Sequence, residues 1–371
     1  IRNHFFEQEF YDTAQVEVLR GPQGTLYGRN ATAGVVNLSS AKPTDQFKAM
    51  ASGELGNYHQ KRFEGMVNLP IVDDRLDLRV AGEWTKRQGY SLNSFDDNRI
   101  DGRDLWSGRV TLGFKPTENL QMYLVWEHFS EDDDRIRSAK QLCNTDHGPG
   151  PVSAADSDTF SGGVTVDGKF IPFGGSAIAG GGQYFLQGCK PASLYSPQSF
   201  QAPLSFALPY FTGLQTVTGI TTSVNPYPDV AQSPNLRVIN SSLDPEYKAK
   251  NDVIELNADY ALSPTLTLTS QTGFGHDFLY STEDYNRFGS NPGIFSPSTN
   301  GSGLVSPVGV FCDPQLGCSN RLILQDLSQE HAWQLSQEFR VASNFSGPFN
   351  FSAGGNYLHY ETQENYYVFS N

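Results

Sequence analysis

From Lys42-Pro43-Thr44 onward the chain settles into a long period-two alternation of apolar and polar positions. Over 76–86, Leu76, Leu78, Val80, Gly82 and Trp84 share one face, and Asp77, Arg79, Ala81, Glu83 and Thr85 the other. Residues 105–115 repeat this, with Trp106, Gly108, Val110, Leu112 and Phe114 against Ser107, Arg109, Thr111 and Lys115. In 120–129, Leu120, Met122, Leu124 and Trp126 oppose Gln121, Tyr123, Val125 and Glu127; in 253–262, Ile254, Leu256, Ala258, Tyr260 and Leu262 oppose Glu255, Asn257 and Asp259. Segments 265–278, 333–342 and 349–361 continue the pattern, and two earlier strands fall near 47–57 and 60–70. Alternation of this kind predicts strands whose two faces meet different surroundings. There are about nine, each near the length a tilted strand needs to cross a bilayer.

A soluble sandwich also alternates, and the connections separate the two cases. Short turns fall at Val72-Asp73-Asp74, Pro116-Thr117-Glu118, Ser263-Pro264 and Ser343–Pro348, whereas the other connections are mostly long: 87–104, about 133–250 and about 281–330. Short turns on one side and long loops on the other mark an outer-membrane barrel. With strand direction alternating, Trp84, Trp106, Trp126 and Trp333 all fall at the loop-side boundary, where amphipathic rings are favoured.

Composition narrows the picture in three ways. No run of about 18 apolar residues exists, which excludes a transmembrane helix but not a barrel. A formal net charge of −14 argues against a nucleic-acid partner. The four cysteines, Cys143, Cys189, Cys312 and Cys318, lie in the long loops, where an oxidising compartment favours pairing. Four cysteines permit three connectivities; the expected one is Cys143 with Cys189 and Cys312 with Cys318. No Cys-x-x-Cys or Cys-x-x-His spacing suggests zinc.

The stretch before the alternation is different. Val16, Val18 and Leu19 form a half-buried strand stopped by Gly21-Pro22; Gly24 and Gly28 allow tight bends; Val35-Val36-Asn37-Leu38 is a second short strand. Taken alone this is a compact β-turn-β unit, with no phosphate-cradling Gly-x-x-x-x-Gly-Lys pattern. The order Arg20-Gly21-Pro22, Gly24, Leu26-Tyr27-Gly28 and Gly34-Val35-Val36-Asn37 resembles the end of the plug domain of TonB-dependent outer-membrane receptors, over roughly the first 45 residues.

The resemblance implies an all-β fold: a partial transmembrane antiparallel β-barrel, about nine of about 22 strands, with the C-terminal part of an N-terminal plug. Residues 1–45 would be plug, and 46–371 the first part of the barrel with its extracellular loops. Arg20, Gly21, Pro22, Gly24, Tyr27, Gly28 and Gly34 would be the structural or gating motif, with Arg20 either paired to a lumen carboxylate or capping its turn. An open sheet in lipid would leave edge groups unsatisfied at several kcal/mol each. The expectation is therefore a partial chain whose first and last strands do not pair, with residues 1–45 lying against the sheet.

The implied function is active uptake, across the outer membrane of a Gram-negative bacterium, of a scarce extracellular ligand. The Leu-Arg-Gly-Pro-Gln-Gly-Thr-Leu-Tyr-Gly-Arg-Asn-Ala-Thr form is similar to the siderophore-receptor-like branch, which makes a ferric siderophore the first choice and an oligosaccharide, another organic nutrient or cobalamin the alternatives. Implied partners are the TonB energy-transducing complex, acting through a segment N-terminal to the plug, and outer-membrane lipid with lipopolysaccharide. A passive porin would need no plug.

Neither a His-Glu-x-x-His nor a Gly-x-Ser-x-Gly pattern occurs, so the expectation is no catalytic residue, metal or cofactor and no enzyme. Glu131-Asp132-Asp133-Asp134 reads as a solvated loop base, with divalent-cation bridging to lipopolysaccharide phosphates as the sharper option. Beyond the glycine-rich 174–182 lies an aromatic region including Tyr184, Tyr195, Tyr210 and Phe211. Those four are the candidate ligand contacts, since Tyr and Phe supply rigid contact area; packing of the loop on itself is the competing use of such rings.

Overall fold

The computed structural model describes residues 9–27, 31–137, 140–145, 163–166, 169–172, 189–190, 192–202, 227, 230–284, 288–293 and 308–370. An N-terminal antiparallel hairpin joins β1 (Thr13–Arg20) to β2 (Gly34–Ser40), with Arg20 opposite Gly34. Nine strands then form one antiparallel sheet: β3 (Lys48–Gly56), β4 (Gln60–Val72), β5 (Leu76–Arg87), β6 (Arg103–Thr117), β7 (Leu120–Asp133), β8 (Glu246–Ser263), β9 (Leu266–Asp284), β10 (Leu324–Ser343) and β11 (Ser352–Ser370). Each pairs with its neighbour in sequence. Among the described residues nothing joins β3 to β11, so the sheet is an open part of a barrel rather than a small closed one.

The two faces divide as the alternation predicts. Arg79, Glu83, Arg109, Thr111 and Glu127 are buried, whereas Val80, Leu124, Trp126, Ile254 and Leu256 are exposed, Leu124 at 45%. On the polar face the N-terminal segment reaches Glu64, Asn68, Arg79 and Glu127; the apolar face is bare, as lipid requires. On it Phe63 stacks on Trp84 (5.9 Å), Trp106 meets His128 (4.7 Å) and Trp333 meets His359 (4.7 Å). Trp126 and Trp333 lie well inside their strands, since β7 runs seven residues past Trp126 and β10 begins nine before Trp333, whereas Trp84 and Trp106 stand three residues from the ends of β5 and β6. Above this aromatic band the strands continue with largely polar residues on both faces, while the inner face stays buried at Phe129, Glu131, Asp326 and Glu330.

The long connections carry structure of their own. Ser91–Asn93 pairs antiparallel with Asn98–Ile100 and parallel with Val238–Ile239, which ties the 87–104 connection to the end of the 133–246 one. Asn93, fully buried, donates from Nδ2 to the Ser241 carbonyl (2.9 Å) and accepts from the Ser241 amide (3.0 Å). Phe311–Asp313 and Gly317–Ser319 form a hairpin closed by the Cys312–Cys318 disulfide, and a second disulfide joins Cys143 to Cys189.

Candidate functional site

The segments flanking the hairpin, Tyr11 with Asp12 and Lys42 to Gln46, meet the polar face of the sheet. Asp12 receives Arg79 in a two-pronged ion pair, Nε to Oδ2 at 2.7 Å and Nη2 to Oδ1. Its own amide donates to Glu64 (3.3 Å). One residue earlier Tyr11, 2% exposed, offers its hydroxyl to Glu127 at 3.5 Å, and its ring lies 4.8 Å from the Arg109 guanidinium. Arg109 and Glu127 are joined by two hydrogen bonds of 3.1 and 3.0 Å. Burial, then the Glu127 charge, pushes the Tyr11 phenol well above its ordinary range, so it stays a hydrogen-bond donor. Further along, Asn68 clamps the strand-entry segment, accepting from the Thr44 amide (3.0 Å) and donating to the Thr44 and Gln46 carbonyls (2.7 Å each). Lys42 lies 4.4 Å from the Tyr123 ring.

The motif glycines have physical reasons. Gly21 takes φ +83°, a conformation that ends β1 sharply, and a side chain on Gly34 would come within 2.6 Å of the Leu19 carbonyl oxygen. Gly24–Tyr27 forms one helical turn rather than a plain bend, closed by the Tyr27 amide to Gln23. Pro22 follows directly on the Gly21 turn; Gly28 lies outside the described residues. The Arg20 side chain is exposed and makes no ion pair among the described residues; its carbonyl accepts from Gln23 (3.3 Å). Residues one step upstream of the motif, Tyr11 and Asp12, make the wall contacts instead. Sequence reading passed over them because their partners lie 67 and 116 positions away, although Arg79, Arg109 and Glu127 were visible as charges on an inward face.

Of the aromatic candidates, Tyr184, Tyr210 and Phe211 lie outside the described residues, and Tyr195 is 92% exposed. Tyr227, by contrast, packs with Phe288 (6.0 Å), Cys143, Ala202 and Leu322 in a small core beneath the loops. Burial and then Asp284 push its phenol far above the ordinary value. The acidic run corrects the solvated reading. Glu131 is buried and paired with Arg135 (3.2 Å) and Arg103 (3.7 Å). Asp133 accepts from the Asp104 and Arg135 amides, and Asp134 from that of Gly102. The run fastens the 87–104 connection to β7. Among the described residues no cluster of three metal-ligating side chains occurs.

Between three connections at this end lies a chamber of about 430 Å³. Ser94 and Phe95 come from the first, Lys140, residues 230–233 and 238–240 from the second, and Phe288, Asn291 and Arg321 from the third. Lys140 donates to the Asn235 carbonyl (2.9 Å) and that of Ser233, while Arg321 lies 5.0 Å from the Phe95 ring. Among the described residues its lining holds no carboxylate.

Known proteins share this construction. The siderophore receptor PiuA from Acinetobacter baumannii superposes over 96% of this chain and 36% of its own, with TM-score 0.54 and 12% identity, a likeness of fold. The pesticin receptor of Yersinia pestis is 35% identical over 176 residues, 43% of this chain and 25% of that protein. The catecholate siderophore receptor Fiu of Escherichia coli is 37% identical over 83 residues, 22% of this chain and 11% of Fiu. The fold and the matched stretches of sequence are those of TonB-dependent outer-membrane receptors. No family model matches the chain. It spans about a quarter of the pesticin receptor's length. Its place is the outer membrane of a Gram-negative bacterium, with its bare apolar face toward lipid. The Tyr11–Asp12 contacts then join plug to barrel wall, and the chamber lies among the loops at the outer end.

Proposed function

We propose that the receptor imports a ferric siderophore, by TonB-driven movement of the plug away from the wall. The observation that carries this is the docking of Tyr11 and Asp12 on Arg79, Arg109 and Glu127: a few polar contacts, specific in geometry and breakable one after another. An open diffusion channel has no use for a plug held in this way, which disfavours a passive porin. The siderophore-receptor names of Fiu and PiuA support the ligand class. Residues 1–45 act as the end of the plug and 46–371 as barrel wall and loops, with lipopolysaccharide and lipid around the aromatic band.

The test uses the complete gene. A deletion strain should lose uptake of ⁵⁵Fe presented as at least one member of a panel of catecholate, hydroxamate and carboxylate ferric chelates, and a protonophore should abolish the same uptake in the parent. Unchanged iron uptake across the panel, with a growth defect on an oligosaccharide or on cobalamin, would replace the ligand class.

A further inference from the structure

The chain leaves the plug hairpin through a second hold on the wall, and its chemistry differs from that of the Asp12–Arg79 pair. Asn68 is fully buried, and its side-chain amide is turned to the entering segment: Oδ1 accepts from the Thr44 amide, and Nδ2 donates to the Thr44 and Gln46 carbonyls. A carboxamide can donate twice and accept within one such site; a carboxylate cannot. Pro43 is buried beside Gly113, where a side chain would come within 3.0 Å of the proline Cγ, so glycine leaves the seat for the ring. Lys42 reaches the Tyr123 ring on the neighbouring strand. Through its backbone Asn68 pairs with Lys48, the first residue of β3, and with Arg79 on β5. The clamp therefore stands directly beside the Asp12 contact and two residues ahead of β3. The hairpin closes on itself just before it, where the Ala41 amide donates to the Asp12 carbonyl at 3.0 Å. Asp12 and Ala41 thus belong to the hairpin, and Lys42 to the wall.

We propose that residues 42–46 stay on the wall during import and that the hairpin moves about the Ala41–Lys42 peptide, with Asn68 as the anchor. This rests on the plug-movement reading above and says which part of the plug moves. A pull from the N-terminal side reaches Asp12 first, and that contact is made between two side chains. Residues 44 and 46 are held through their backbone in a buried site, where a broken hydrogen bond leaves polar groups unsatisfied. They also run within two residues into the β3–β4 ladder, so they cannot leave without drawing on it. Without the anchor the pull would pass straight to Lys48, at the head of a strand whose partner among the described residues is β4 alone. Asn68 is thus a positioning residue: it ends the moving part of the plug and keeps the pull off the barrel.

The reporter is Thr44→Cys, because the Thr44 hydroxyl oxygen is buried while the clamp uses only the Thr44 backbone. It is placed in the full-length receptor in cells given the ferric-chelate panel and a small maleimide. Labelling should be slow with or without a protonophore. Adding Asn68→Asp, which keeps the shape and loses both donations, should speed labelling about tenfold or more in energised cells and not in protonophore-treated ones. Faster labelling of Thr44→Cys alone on energisation would overturn the anchor; so would a rise with Asn68→Asp that is absent or that the protonophore leaves in place. A second variant, Thr44→Cys with Asn68→Cys, is joined by a bis-maleimide that replaces the clamp covalently. Energised ⁵⁵Fe uptake should continue with this tether closed, and a stop would mean that the plug leaves as one body. The import reading fails separately, if the unaltered receptor carries no energised ⁵⁵Fe, whatever Thr44→Cys reports.

Discussion

Asp12 and Arg79 lie 67 positions apart and meet through two hydrogen bonds at the boundary between plug and barrel wall. Both side chains are nearly buried, at 6% and 9% exposure. Removing one partner leaves the other charge uncompensated, which costs roughly 3–5 kcal/mol in buried pairs. Asp12→Ala should therefore make the 9–46 segment trypsin-sensitive at lower urea than in the unaltered receptor. Asp12→Ala combined with Arg79→Met should recover part of the loss, because the orphaned charge is gone. Equal sensitivity of all three proteins would show that the pair does not hold the plug.

The division between lipid and lumen faces gives a second expectation. Leu124 sits mid-strand on the bare face, between Leu112 and Leu256. Leu124→Arg should destabilise the folded receptor in lipid vesicles by about 2–4 kcal/mol, as a cation on a lipid face does near the midplane. Gln121→Arg, on the opposite face of the same strand, should stay within about 0.5 kcal/mol. Denaturant unfolding in vesicles measures both, and a reversed order would mean the faces are exchanged.

That division was legible in the sequence because one face of each strand meets lipid and the other meets water or protein, so period two is enforced between the turns and the aromatic band. The extensions beyond the band were not legible. Ser130–Asp133 and most of Leu324–Ala332 are polar on both faces, yet Glu131, Asp326 and Glu330 are buried on the inner one. The plug motif was visible through glycines that only a constrained backbone requires, Gly21 and Gly34. The residues that dock the plug were not, because Tyr11 and Asp12 are ordinary side chains whose role comes from distant partners. The chamber depends on pairings such as Asn93 with Ser241, 148 positions apart, for which local pattern carries no signal.

The two disulfides should differ in weight. Cys143–Cys189 closes 46 positions of chain and Cys312–Cys318 closes six. In the chain-entropy view these constrain the unfolded loops by about 4 and about 2.2 kcal/mol respectively. Cys143→Ser with Cys189→Ser should accordingly loosen the Tyr227–Phe288 core, read as faster proteolysis of the loops, more than Cys312→Ser with Cys318→Ser. The opposite order would indicate that the longer crosslink does not brace that core.

Acidity should tighten the outer rim. Asp134, just past the end of β7, is held above the usual carboxylate range, chiefly by burial and against the opposing hydrogen bond from the Gly102 amide; Asp133 adds to the rise. Because the folded value lies above the unfolded one, near 3.8, its stabilising contribution is complete below the unfolded value and is lost as pH rises through the folded one. Opening of residues 88–102, followed by hydrogen exchange corrected for intrinsic rates, should increase from pH 4 to pH 7. Asp134→Asn should flatten that dependence; an unaltered slope would remove Asp134 as its source.

All described cysteines are disulfide-bonded, so introduced thiols can be addressed on their own. Cysteines placed at Asp12 and Arg79 in the full-length receptor and joined by a cleavable bis-maleimide would tether the plug to the wall. With the tether closed, ferric-chelate binding at the cell surface should persist while energised ⁵⁵Fe uptake stops, and cleaving the tether should restore uptake. Full uptake with the tether closed would contradict a mechanism in which the plug leaves the wall at Asp12 and Arg79.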